Sequence, residues 1–395
     1  MQHDPHSAAQ PIPTASRSIR LFEILAMIVL WNSAYKGARV LNTLYALELG
    51  AQPFDTGLLL ATYGVIPLLA AIHAGKIADR YGPRFPVAAG FLISAVGVVL
   101  PFLWPVFPAL FVAAAVTGTG FILVQVSMQS FVGSLGSGPK RTRNINLYAL
   151  VISTADLIGP ILAGFSIDQI GHVRTYLALG ALNAASLLGL IYLFNRIPRA
   201  APGAVDRGGQ RMADLFRERS LRRIILVSGM IMTGLDLFQL YIPLYGHSIG
   251  LSASAIGTIL GAFAVAEFVT RTLTPALVRR FGEESTLLYS LILGAAMFSL
   301  IPFFQGAAVL AAICFMLGLG MGLGQPLTLI LTYNRSPAGR AGEALGVRIA
   351  VNNSMHVAVP ALFGAIGSAV GLSPVFWIGS AILALSGLAS RGPRG

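Results

Sequence analysis

Gly75-Lys76-Ile77-Ala78-Asp79-Arg80-Tyr81-Gly82-Pro83-Arg84 is a polar break between two apolar runs, 55–75 and 84–104. Each run has the length of about 20 residues that a helix needs to cross roughly 30 Å of hydrocarbon. A barrel strand needs only about ten alternating residues. In lipid the backbone must satisfy its own hydrogen bonds, so such runs read as transmembrane helices. Outward from this pair, ten further runs follow the same rule: 22–46, 107–131, 145–168, 173–195, 223–246, 253–275, 285–305, 308–332, 344–368 and 373–390. The sequence therefore predicts an all-α membrane protein with twelve transmembrane helices. Composition agrees: 11% of residues are charged, against roughly 25% in a soluble domain, which leaves too little polar surface to cover a soluble globule.

The decapeptide also orients the chain. Lys76, Arg80 and Arg84 stand on the side that holds nearly all the Lys and Arg, among them Arg17, Arg20, Lys140, Arg141, Arg143, Arg279, Arg280, Arg335 and Arg340. Loops 47–54, 105–106, 247–252 and 369–372 on the other side have none, Arg174 being that side's exception. Lys and Arg accumulate in cytoplasmic loops, so both termini and the basic linker 196–222 are expected in the cytoplasm, in the inner membrane of a bacterium. The net charge of +12 resides in these short loops, which argues against a nucleic-acid partner; anionic lipid headgroups suit the linker arginines. The reading divides the chain into a tail 1–21, a first six-helix bundle 22–195, the linker 196–222, a second bundle 223–390 and a tail 391–395. The first 20 residues lack an apolar core and do not read as a cleavable signal. Cys314 is the single cysteine, so no intrachain disulfide is possible.

Residue n set beside residue n + 200 aligns the halves. Gly50 meets Gly250, Gly57 meets Gly257, and Arg80 and Gly82 meet Arg280 and Gly282. Gly118, Gly120 and Gln125 meet Gly318, Gly320 and Gln325; Pro160 and Gly164 meet Pro360 and Gly364. One offset held through five helix pairs is an internal repeat. It predicts two pseudo-symmetric six-helix bundles around a cleft, with a solute site near the midplane.

The pattern Gly75, Asp79, Arg80, Gly82, Arg84 resembles the 2–3 loop signature of the major facilitator superfamily (MFS), departing at Phe85, where a second basic residue is usual. The second-half counterpart keeps only Arg280 and Gly282. Gly159-Pro160-Ile161-Leu162-Ala163-Gly164 is similar to the span-5 motif of the proton-coupled antiporters of that superfamily, with Ala163 in place of a glycine. Gly118-Thr119-Gly120 lacks the preceding Arg found in many drug exporters. The resemblance implies the MFS fold, secondary transport by alternating access, and spans 1 and 7 lining the cleft. It also implies a gating role for Gly75, Asp79, Arg80, Gly82, Arg84, Gly159, Pro160 and Gly164. An Asp79 carboxylate at a helix end suits the exposed N–H groups at the start of span 11, near Ala344. Arg348, one turn inside that end, is expected to snorkel, to bond this cluster or to meet substrate. A purely topological role for Arg80 and Arg84 stays open.

Charge inside a membrane costs roughly 2.5–3.5 kcal/mol per residue on insertion scales, so each case needs a reason. Asn32, Lys36, Arg39 and Thr43 fall at helical spacing on one stripe of span 1. Asp236, the repeat mate of Lys36, is flanked on span 7 by Thr233 and Gln239. Lys36 and Asp236 are expected either to pair across the pseudo-twofold axis or to contact solute. Asp156 on span 5 and its mate His356 on span 11 are expected as a proton-coupling pair, a structural acid being the other reading of Asp156. Asn352 continues the His356 face. Glu267 and Arg271 stand at i, i+4 and read as an intrahelical pair, with Glu267 also a coupling candidate. Gln125, Gln129 and Gln325 suit solute hydroxyls or interhelical bonds.

Three functions follow. The first is proton-coupled export of a drug-like or metabolite compound, resting on the span-5 motif. The second is proton-coupled uptake of a small organic anion, resting on Lys36 and Arg39. The third is a transporter-like sensor. No nucleophile triad, metal cluster or phosphate-binding glycine loop is evident, so no enzyme activity and no cofactor is expected. Small-molecule substrate, protons and lipid are the expected partners of a monomer.

Overall fold

The computed structural model describes residues 17–81, 83–134, 138–193, 218–337 and 340–391. Residues 1–16, most of the linker, Gly82 and the side chains of Asp79 and Arg80 lie outside the described part, as does the expected contact of Asp79 with the start of span 11. The α-helices are α1 Arg17–Glu48, α2 Pro53–Tyr81, α3 Arg84–Leu103, α4 Phe107–Ser134, α5 Gly138–Ile170, α6 His172–Leu193, α7 Arg219–Ser248, α8 Ala253–Phe281, α9 Glu283–Leu300, α10 Ala307–Met321, α11 Gly324–Asn334, α12 Ala341–Val370 and α13 Leu372–Ser390. Among the described residues ten spans are long and apolar enough to cross a membrane; α1, which carries the polar stripe, and α2 complete the twelve.

The tenth span departs from one continuous helix. It breaks between α10 and α11 at Gly322 and Leu323. Gly318, Gly320, Gly322 and Gly324 alternate there, and each glycine weakens a helix interior by roughly 0.5–1 kcal/mol. The repeat mates of the last two are Ile122 and Val124, and α4 runs through unbroken.

The repeat extends to the backbone. Gly50 and Gly250 close α1 and α7 at φ 87° and 78°, and Gly171 and Gly371 close α5 and α12 at φ 80° and 86°. An L side chain would be strained at each of these four turns.

Helices α1–α6 pack among themselves: α1 lies against α5 and α6, α3 against α4 and α6, and α2 against α4. In the second half α7 lies against α12 and α13, α8 against α10, and α9 against α10 and α13. The halves meet chiefly where α5 crosses α8 and α2 crosses α12. A Cβ on Gly57 would stand 2.2 Å from the Pro360 carbonyl, and one on Gly257 would stand 2.4 Å from the Pro160 carbonyl. Gly164 is held as closely to the Ala253 carbonyl, at 2.3 Å. Without a hydrophobic drive between helices in lipid, such close backbone packing is a main source of association. These contacts sit near the starts of α2 and α8, so they shut the cleft at the end away from the basic loops.

A cavity lined by an ion pair, a histidine and an aromatic stack

The cleft holds two adjoining lobes of about 220 and 240 Å³ that share Lys36, Arg39, Leu60, Gln239 and His356. Together they fall in the range of roughly 300–1,000 Å³ typical of small-molecule sites. Lys36, Asp156, Glu267 and Arg271 line one lobe. The other is lined by Trp31, Tyr35, Tyr63, Phe121 and Tyr148 and reaches Ile28 and Leu68, toward the basic end.

The ion pairs differ from those expected from the repeat. Lys36 Nζ stands 2.6 Å from Asp156 Oδ1, and His356 Nδ1 stands 2.7 Å from Asp236 Oδ1. Lys36 therefore does not pair with Asp236, nor Asp156 with His356. Each acid finds its partner inside its own half, and the offset of 200 maps one pair onto the other. The cause is local packing. A Cβ on Gly159 would meet the Ser33 carbonyl at 2.6 Å and the Lys36 Cβ at 2.8 Å. This closeness of α1 and α5 brings Asp156, one turn before Gly159, within reach of Lys36. Pro160 and Gly164 of the same motif turn to α8 instead, so one hexapeptide binds a helix of each half.

The Glu267–Arg271 pair is also corrected. Arg271 donates to Ser153 Oγ on α5, across the halves, and no ion pair joins it to Glu267 among the described residues. Both line the charged lobe. The expected bond of Arg348 to the Asp79 cluster lies outside the described residues, and Arg348 does not snorkel. It is buried and donates to the Gln325 main-chain oxygen at 3.1 Å, to Gln325 Oε1 at 2.6 Å and to Thr328 Oγ1 at 3.1 Å. Polar groups just beyond the break in the tenth span replace the water a snorkelling guanidinium would seek. Asn352 joins this cluster, donating to Gln325 Oε1 at 3.2 Å and accepting from Ser228 at 3.1 Å.

Gln239 lines both lobes, Gln325 the charged one, and Asn32 and Gln125 the aromatic one. Gln129 is exposed and lines neither. Gly75 lies within α2, and Arg84 begins α3 half-buried. The aromatic lobe was missed by a search for polar stripes. Trp31 and Tyr35 stand one residue before Asn32 and Lys36 at the same i, i+4 spacing, which was the available signal. Behind them Asn42 donates to Tyr63 at 2.7 Å and accepts from Tyr176 at 2.6 Å, tying α1, α2 and α6 together.

This architecture has counterparts in known proteins. Residues 24–360 match the family profile described as Major Facilitator Superfamily. The chain belongs to the major facilitator superfamily. It is similar to Multidrug resistance protein 1 of Bacillus subtilis, 24% identical over 328 residues that cover 81% of each chain. It is also similar to Quinolone resistance protein NorA of Staphylococcus aureus, 19% identical over 330 residues, 82% of this chain and 83% of that protein. Among solved structures the nucleoside transporter NupG superposes with a TM-score of 0.75 at 13% identity, over 94% of this chain and 98% of that one. The peptide transporter POT in complex with sulfate superposes with a TM-score of 0.79 at 13% identity, over 96% and 95%. At such identities the structures share the fold alone. As an MFS transporter, the chain is an integral, multi-pass protein of a bacterial membrane.

Proposed function

We propose that this protein exports drug-like amphipathic compounds in exchange for protons, as a monomer in the inner membrane, with both termini and the linker in the cytoplasm. One observation carries the reading: a cavity between the two halves, shut at one end by glycine packing and lined by the Lys36–Asp156 ion pair of the first half and by His356 of the second. The names of the relatives support a drug-like cargo and outward direction. Solute enters from the basic end, along Ile28, Leu68 and Tyr148. Rocking of the halves then opens the glycine contacts and shuts the basic end, where the 2–3 loop acts as the gate.

Protons enter the cycle at groups that solute and solvent can both reach. Asp156 and Lys36 are each about one-fifth exposed to the cavity, at 21% and 20%. Protonation of Asp156 releases Lys36; deprotonation re-forms the pair. Glu267 and His356, the latter bonded to the buried Asp236, line the same space and provide the other sites.

In proteoliposomes with an imposed pH gradient, ethidium, a quinolone and an aromatic acid should be tried as cargo. Asp156→Asn should abolish gradient-driven accumulation while sparing exchange of the transported compound. Gradient-driven accumulation by Asp156→Asn at the wild-type level would remove Asp156 from coupling. Orientation is tested separately: a cysteine replacing Gln210 should resist an impermeant maleimide in intact cells, and ready labelling would invert the topology.

A further inference from the structure

The two lobes differ in charge. Lys36, Arg39 and His356 line the aromatic lobe, and among the described residues no Asp or Glu does. Of the two carboxylates in the adjoining lobe, Asp156 is engaged with Lys36, and Glu267 makes no ion pair with Arg39 among the described residues. Arg39 has no such partner among the described residues. Its guanidinium lies over the Tyr63 ring at 5.7 Å from the centroid and lines both lobes, while its side chain makes no hydrogen bond or ion pair with another described residue. A guanidinium has five N–H donors in a planar fork, and at this depth leaving them all without an acceptor is costly.

The wall beside Arg39 is flat. Phe121 stacks on Tyr35 at 4.3 Å between centroids and 12° between planes, and Trp31 stacks on Phe121 at 5.9 Å and 14°. Trp31 and Tyr35 are themselves within 16° of parallel. Three nearly parallel rings, of which half-buried Phe121 offers the most free surface, favour a further planar ring in offset or edge contact.

We infer that the aromatic lobe is a subsite for planar aromatic carboxylates, with the ring against the Phe121 stack and the carboxylate in the fork of Arg39. A bidentate guanidinium–carboxylate contact has direction as well as charge, so Arg39 is the specificity-determining residue. The carboxylate also lies within reach of the Lys36 side of the cavity, where it competes with Asp156 for the ammonium. This assignment rests on the reading of the cavity as the transport site and narrows its cargo to anionic amphiphiles.

The test is calorimetric titration of the purified protein in nanodiscs with three probes of one ring: 2-naphthoate, 2-naphthamide and 2-naphthylmethylammonium. A hydrogen bond to a charged group contributes about 1.5–3 kcal/mol, so 2-naphthoate should bind about 10-fold or more tighter than the amide. The ammonium probe should bind weakest. Arg39→Lys should lose most of the preference for carboxylate over amide, and Arg39→Gln all of it, while Phe121→Ala should weaken all three alike. Wild-type protein that binds the amide or ammonium probe as well as the acid, or none of the three, overturns the proposal whether or not any variant folds. So does a folded Arg39→Gln that keeps the preference. The outcome separates from that of the export reading. Tight acid binding without gradient-driven movement keeps the subsite and removes export. Gradient-driven movement of other compounds without acid preference does the reverse.

Discussion

The two halves hold the same device at the same place with the signs exchanged. In the first, a cation on α1 meets an acid on α5; in the second, an acid on α7 meets an imidazole on α12. Pairing inside each half has a mechanical consequence. When the halves rock, neither ion pair has to be broken in a low-dielectric setting. Besides the Arg271–Ser153 hydrogen bond, what joins the halves is chiefly glycine packing and bonds at helix ends, which are short-ranged. The halves also differ in the cationic partner: an ammonium on a flexible stem in the first, a planar imidazole in the second.

The largest expected effect tests which groups are partners. Removing one member of a buried pair costs about 3–5 kcal/mol and removing both costs much less. Lys36 and Asp156 are partly exposed, so Lys36→Met or Asp156→Leu alone should destabilise by about 3 kcal/mol, at the low end of that range. The double variant should regain most of that loss in thermal unfolding. Lys36→Met with Asp236→Leu should be additive to within about 0.5 kcal/mol. Strong coupling in this second cycle would move the ion pair across the halves and end the comparison.

Next come the crossings. Gly57→Ala and Gly257→Ala each put a methyl 2.2 or 2.4 Å from a carbonyl oxygen of the other half. Overpacking costs about 1–3 kcal/mol, here charged only to the shut arrangement. Both should widen the distance between spin labels at Leu49 and Ala369 to a similar degree. A response from only one would show that a single crossing governs closure.

His356→Lys makes the second half like the first. If the difference between ammonium and imidazole matters, this variant should change the shape of the pH profile of transport. Asp156 should keep its effect on gradient-driven accumulation. A profile with wild-type curvature would assign the titration to the carboxyl groups alone.

The fold was legible because it depends on run length and on a repeat, both one-dimensional. Among the described residues the twelve spans fall on helices, with a break at Gly322 in the tenth and a 3-10 turn, Ile301–Phe303, near the end of the ninth. The charged residues were legible as intramembrane, and their partners were not. The offset of 200 reports equivalence under a pseudo-twofold axis, which allows Lys36 and Asp236 to pair or to contact solute separately and does not say which residues are neighbours. Lys36 meets Asp156 because Gly159 lets α1 and α5 touch, a fact of packing that spacing along one helix does not contain. Glu267 and Arg271 failed similarly: i, i+4 placement allows a pair, but Ser153 on another helix offered Arg271 a hydroxyl. Arg348 needed the broken tenth span, which its glycines hinted at. The 2–3 loop expectations for Asp79, Arg80 and Gly82 fall outside the described residues.

The smallest effects lie at the end shut by glycines, where each half caps a helix of the other. Asp168 accepts from the Ala253 and Ser254 amides at 3.1 and 2.9 Å, at the start of α8. Its repeat mate Ser368 accepts from the Phe54 amide at 2.9 Å, at the start of α2. The choice of side chain follows from the donors. The first residue of α8 is Ala253, which has an N–H, so two amides face the other half and a carboxylate with two oxygens suits them. The first residue of α2 is Pro53, which has none, so one amide remains and one hydroxyl suffices. Loss of a cap costs about 0.5–2 kcal/mol. Both sites are exposed, so Asp168→Ala should cost about 1 kcal/mol and Ser368→Ala about 0.5 kcal/mol of the shut state. Ser368→Asp should gain little, because the second oxygen has no amide to meet. Spin-label distances between Leu49 and Ala369 would rank the three variants. An Asp168→Ala effect no larger than that of Ser368→Ala would mean that the carboxylate at α8 does no more than the hydroxyl at α2.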